Sequence, residues 1–137
     1  MFELAVIEQV LPPAQTIEEV CLRGASAEYG VDYLLLKAIR EKEAGTRGMR
    51  NPNSNGTADL GEMQLNTATV PDYAQYGFTE RIVQYDTCHN IRIGALHLRT
   101  KILETKDIWL GVAWYHSKTP KYGYPYARDI HKRYMRL

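Results

Sequence analysis

The sequence predicts a mainly α-helical domain with a small, irregular β or loop region after its second helix. Three observations carry this expectation. Four residues suited to capping, Thr16, Asp32, Asp86 and Asp107, each precede a stretch in which apolar residues recur at intervals of three and four. Between the second and third of these stretches, Thr46 to Asp59 is rich in Gly, Asn, Ser and Pro, the composition of a loop or small hairpin. The chain has 137 residues, enough for one domain with a real core and no second one.

Taken in order, residues 1–16 read as an N-terminal segment and residues 17–137 as the single domain. Thr16 followed by Glu19 makes a capping box, and Ile17, Val20, Cys21, Gly24 and Ala25 form a stripe that ends at Gly30. Asp32 caps a second helix through Leu34, Leu35, Leu36 and Ile39, with a stop expected at Gly45. A third helical stretch begins near Thr67 and is interrupted at Pro71. Asp86 caps a longer helix in which Cys88, Ile91, Ala95, Leu98 and Ile102 keep the spacing. Asp107 starts another, with Ile108, Trp109, Val112 and Ala113 inward. A last helix is expected to begin at Pro125. Lys132, Arg133 and Arg136 near its end complement the helix dipole as solvated surface.

The bulk numbers exclude several classes. Seventeen basic against sixteen acidic side chains leave a formal charge of +1, which gives no electrostatic case for nucleic acid. No apolar run approaches the roughly 20 residues of a membrane span. The start, Met1-Phe2-Glu3, lacks the basic region of a signal peptide, and Glu3 and Glu8 interrupt its apolar stretch. His89, His97, His116 and His131 make no metal-ligand pattern with another acid or thiol, so they count as structural or surface residues and no metal or cofactor is expected. Tyrosine supplies ten of fourteen aromatics, offering flat faces for sugar rings as readily as half-buried core positions.

One carboxylate lies on the wrong face. At 100° per residue Glu43 projects between Leu36 and Ile39, on the apolar side of the last turn, whereas Glu41 points almost opposite. Partial desolvation and the negative end of the helix dipole both disfavour its ionised form there and push its pKa up. A glutamate that snorkels past the helix end, or pairs with Arg40 or Arg47, is the ordinary alternative.

Three further segments follow Glu43-Ala44-Gly45: SNGTADLGEMQLN from Ser54 to Asn66, YDTCHNIRIGA from Tyr85 to Ala95, and AWYHSKTP from Ala113 to Pro120. In this order and spacing they resemble the transglycosylase domain of soluble lytic transglycosylases, over roughly residues 17 to 135. The likeness extends to the small members that accompany type III and type IV secretion, conjugation and pilus systems. These typically carry a cysteine before the first helix pair, a D-x-C-x-N-I segment and a Y-H-S-x-T-P segment.

The resemblance implies a lysozyme-like α+β fold and an enzyme acting on the glycan strands of bacterial peptidoglycan, with no cofactor. It places Glu43 at the single catalytic acid/base, and Gln64 and Tyr115 in the saccharide groove. Ser54 and Tyr126 fall on other groove positions, while Asn90 and Ile91 read as structural. Two residues depart from the family pattern: Ala44 stands where a serine is usual, and Glu62 where an apolar residue is usual. Glu62 thereby becomes an extra carboxylate beside the expected site.

In the route the resemblance implies, Glu43 protonates the leaving oxygen and then takes the proton of the muramic acid C6 hydroxyl, closing a 1,6-anhydro ring. A muramidase on the same fold would use Asp59, or else Glu62, as a second carboxylate. A non-catalytic component binding glycan or a machine subunit is the alternative of another class. Cys21 and Cys88 lie on inward stripes and match a pair in the resembling subgroup, so a disulfide between them is expected, with a periplasmic or secreted location. A secretion, conjugation or pilus machine subunit is the further partner that the resemblance implies.

Overall fold

The computed structural model describes residues 11–137; the first ten residues of the expected N-terminal segment lie outside the described residues. Helix α1 spans Ile17–Tyr29 and α2 Tyr33–Glu43. Three short strands follow: β1 (Arg50–Pro52), β2 (Ala58–Leu60) and β3 (Leu65–Asn66). A 3₁₀ helix (Val70–Tyr76) then leads to α3 (Glu80–Tyr85), α4 (Thr87–Thr105), α5 (Ile108–His116) and α6 (Pro120–Arg136). The architecture is thus mainly α, with a small sheet directly after the second helix.

Local chemistry explains most helix starts. The Thr16 hydroxyl accepts from the Glu19 N–H at 3.1 Å, and the Glu19 carboxylate reaches back to the Gln15 N–H at 3.2 Å. Asp32 accepts from the Leu34 N–H at 2.8 Å, Asp86 from His89 at 2.8 Å and Asp107 from Leu110 at 2.8 Å. Each of these caps spans only two or three residues.

Helix α4 packs against α1, α3, α5 and β3, which is why Ile91, Ile93, Leu98 and Ile102 are all buried although they do not share one face. Helix α6 packs on α5 and α2. Cys21 and Cys88 form a disulfide joining α1 to α4, with Cα atoms 4.9 Å apart. A bridge closing 67 residues contributes about 4 kcal/mol in the chain-entropy account.

Several expectations need correction. Ile17 and Val20 are exposed, because α1 turns its Cys21, Leu22 and Ala25 side inward. Ile108 is likewise exposed in the first turn of α5. Helix α2 ends at Glu43, with Ala44 rather than Gly45 as its stop: Ala44 takes the left-handed conformation (φ 54°, ψ 24°), and its N–H caps the Arg40 carbonyl. Gly45 serves closeness instead, since a Cβ there would overlap the Gly61 carbonyl oxygen. Pro71 does not interrupt a helix from Thr67; it sits in the first turn of the 3₁₀ helix, where its missing N–H costs nothing. Helix α3 was not expected. Helix α6 begins at Pro120, and Pro125 lies inside it.

The sheet is antiparallel in the order β1-β2-β3, with Asn51 opposite Asp59 and Asp59 opposite Asn66. Asn90 of α4, fully buried, ties this sheet to the core. Its amide donates to the Leu60 and Val83 carbonyls at 2.8 and 2.9 Å and accepts from the Met63 N–H at 2.8 Å. Asn90 and Ile91 are therefore structural, as their positions suggested. Among the described residues no helix is long and apolar enough to cross a membrane.

Candidate active site

Glu43 is the last residue of α2, and the chain turns sharply behind it at Ala44. The Gly45 N–H donates to the Glu62 carbonyl at 3.2 Å, and Arg40 Nη1 donates to the same oxygen at 3.3 Å, which pins the helix end to the turn after β2. The carboxyl faces a groove of about 450 Å³. A second concavity, of about 250 Å³, meets the first at Glu43 and His116, which line both. A chain-like ligand can therefore run past Glu43 with units on either side of it.

Burial raises the pKa of Glu43 from the ordinary 4.5 to about 7, and the charge of Asp59 adds to the rise. The Tyr126 hydroxyl, donating to Glu43 Oε2 at 2.7 Å, and the Lys42 ammonium act the other way without overcoming desolvation. A carboxyl balanced near neutrality, held by one short hydrogen bond and open to a groove, can both give and take a proton.

The first concavity contains Asp59, Gln64 and Tyr115, and the second contains Tyr126. Asp59, the last residue of the expected loop or hairpin, occupies the middle strand, and its Oδ1 accepts from Asn66 Nδ2 at 3.0 Å. Gln64 has φ 53° and donates through Nε2 to the Gly61 carbonyl at 2.9 Å, so it both serves the turn and lines the groove. Tyr115 is largely buried at the groove lining, and its hydroxyl donates to the buried Met63 carbonyl at 3.3 Å.

Two expected groove residues are elsewhere. Ser54 is exposed at the hairpin turn, where its neighbours Asn53 and Asn55 line the groove instead. Glu62 is 3% exposed and lines neither concavity; its Oε1 is buried without a hydrogen bond. The one-residue steps explain both: along an extended or turning backbone, neighbours face opposite ways.

The groove also holds residues the sequence did not single out. Asn53, Asn55 and Asn66 supply amides on the sheet side. His97 lies at the groove wall, its Nδ1 hydrogen-bonded to the Tyr73 hydroxyl at 2.8 Å, and burial pushes its pKa down to about 4. His116 stacks on Tyr126 at 4.5 Å between ring centroids and 7° between planes. The sequence carried two signals for them: the Asn-Pro-Asn-Ser-Asn run, Asn51 to Asn55, which reads equally well as an ordinary turn, and the family-like segments themselves, which contain Asn55, Asn66 and His116. Among the described residues, no group of three His, Cys, Asp or Glu side chains could hold a metal ion.

Residues 20–122 match the protein family described as the transglycosylase SLT domain. Protein IpgF of Shigella flexneri is 31% identical over 122 residues, covering 85% of this chain and 80% of IpgF. Invasion protein IagB of Salmonella typhimurium is 28% identical over 117 residues, covering 85% of this chain and 71% of IagB.

Proposed function

The chain belongs to the transglycosylase SLT domain family, and we propose that it is a peptidoglycan lytic transglycosylase with Glu43 as its acid/base. The observation that carries the reading is the state of Glu43: partly buried, poised near pH 7, hydrogen-bonded to Tyr126, and placed where the two concavities meet.

Protonated Glu43 gives its proton to the glycosidic oxygen between N-acetylmuramic acid and N-acetylglucosamine. The C1–O bond breaks, and its electron pair leaves with the glucosamine O4. The ionised carboxylate then takes the proton of the muramic acid C6 hydroxyl, whose oxygen closes on C1. One carboxyl suffices because the substrate carries its own nucleophile, and a pKa near neutrality serves both halves. Gln64, Tyr115 and Tyr126 are proposed to line the path of the glycan, with Asp59 holding charge near the developing cation.

Hydrolysis is the second reading, favoured by one specific observation: Asp59 shares the groove with Glu43 and its charge is felt there. A water held by Asp59 would then replace the C6 hydroxyl. Mass spectrometry of the fragments released from purified sacculi separates the two. Ends in 1,6-anhydro-N-acetylmuramic acid, one water lighter than the reducing-end product, are the expected result. Reducing ends throughout would replace the transglycosylase reading with the hydrolytic one.

We place the activity outside the cytoplasm, opening the wall locally for a secretion-type machine. The Cys21–Cys88 disulfide favours an oxidising compartment. The likeness to a protein named for invasion, and the D-x-C-x-N-I and Y-H-S-x-T-P segments, support the association with a machine.

A further inference from the structure

We propose that His116 is a positioning residue for Glu43, acting through the Tyr126 ring on which it stacks. The inference deepens the reading above, and its kinetic test rests on that reading. Tyr126 is 5% exposed and sends its hydroxyl to Glu43 Oε2, so the place of this one ring decides whether the carboxyl keeps its partner. The α6 ladder has one bond fewer beside it: Pro125, immediately before, has no N–H, so the Lys121 carbonyl goes without its helical partner one turn back. Side-chain packing adds to what the helix ladder supplies there.

Two rings from consecutive residues of α5 supply that packing. Tyr115 lies 6.4 Å from Tyr126 at 18°, and its hydroxyl is engaged with the Met63 carbonyl. His116 is nearer and almost coplanar in orientation, 4.5 Å and 7°. His116 keeps one side open to solvent, yet partial desolvation and the Lys42 ammonium hold its pKa below the ordinary range, while the Asp59 carboxylate pulls it the other way. The ring therefore stacks as a neutral aromatic at pH 7. Its position lining both concavities beside Glu43 places this contact where a slack Tyr126 would matter most.

A double-mutant cycle with Tyr126→Phe tests the route. His116→Ala should lower kcat two- to tenfold, the scale of one aromatic pair, with KM changed less than twofold. His116→Phe, which keeps a flat ring, should recover most of the loss. In the Tyr126→Phe background, His116→Ala should cost less than twofold. An undiminished cost there, a change confined to KM, or failure of the phenylalanine to rescue would each overturn the proposal, the last two by assigning the imidazole to the glycan. A second arm needs no activity: the Glu43 carboxyl titrated by carbon NMR. Tyr126→Phe removes a hydrogen bond that lowers the pKa, so the midpoint should rise above about 7. His116→Ala should raise it in the same direction and His116→Phe should not. An unchanged or lowered midpoint in His116→Ala overturns the proposal, because His116 would then only shield Glu43 or do nothing to it. If the wild type released no glycan fragments, the enzymatic reading would fail while this titration still decided the role of His116.

Discussion

Replacing Glu43 by glutamine should make the protein more stable, and only where the carboxyl would be charged. The folded state holds the Glu43 proton with a pKa near 7 against an ordinary 4.5. Between those values the folded state binds more protons than the unfolded chain, so stability falls as pH rises through the interval. The full penalty is reached above pH 7 and, at 1.36 kcal/mol per pH unit, amounts to about 3 kcal/mol. Below pH 4.5 both states carry a neutral carboxyl and the penalty vanishes. Glutamine keeps the shape and can still accept from the Tyr126 hydroxyl through its carbonyl oxygen. Urea unfolding of both proteins at pH 4.5, 6 and 8 should show near-equal stability at the lowest pH and a variant more stable by about 3 kcal/mol at the highest. The same variant should clear peptidoglycan at least about a hundredfold more slowly. A stability difference independent of pH would refute the desolvation argument, and retained activity would refute the role given to Glu43.

Other perturbations follow from neighbouring contacts. Cleavage by the wild type should decline with a midpoint near pH 7 as Glu43 ionises; Asp59→Asn removes a charge that raises the Glu43 pKa, so its pH–rate profile should lose activity at a lower pH while the anhydro product persists. Ala44→Gly relieves a left-handed alanine (φ 54°) and should raise the urea midpoint by the equivalent of about 0.5–1 kcal/mol after the extra freedom of glycine in the unfolded chain is counted. Glu62→Met removes a buried oxygen that has no hydrogen bond, leaves the backbone carbonyl that receives Gly45 and Arg40, and should stabilise by about 1–3 kcal/mol in thermal unfolding at pH 7.

The sequence by itself determined what short range controls. Thr16, Asp32, Asp86 and Asp107 cap their helices because a side chain and an N–H two or three residues on are enough to make the bond. The displaced carboxylate was legible too, since the direction of Glu43 depends only on the period of its own helix. Periodicity chooses a face but not what covers it. Ile17 and Val20 continued the α1 stripe on paper and face outward because α4 meets α1 on the Cys21 side. Pro125 reads as a helix start, but so does Pro120 after Thr119, and only the packing of α6 on α5 and α2 decides between the two. Glu62 looked like a groove carboxylate because burial is not written in a motif. The candidate site itself is the clearest case. The partner of Glu43 is Tyr126, 83 residues away, and the ring on Tyr126 comes from His116 on a third helix. Only tertiary packing brings α2, α5 and α6 to one point, and the desolvation that lifts the Glu43 pKa is created by that packing rather than by any neighbour in the chain.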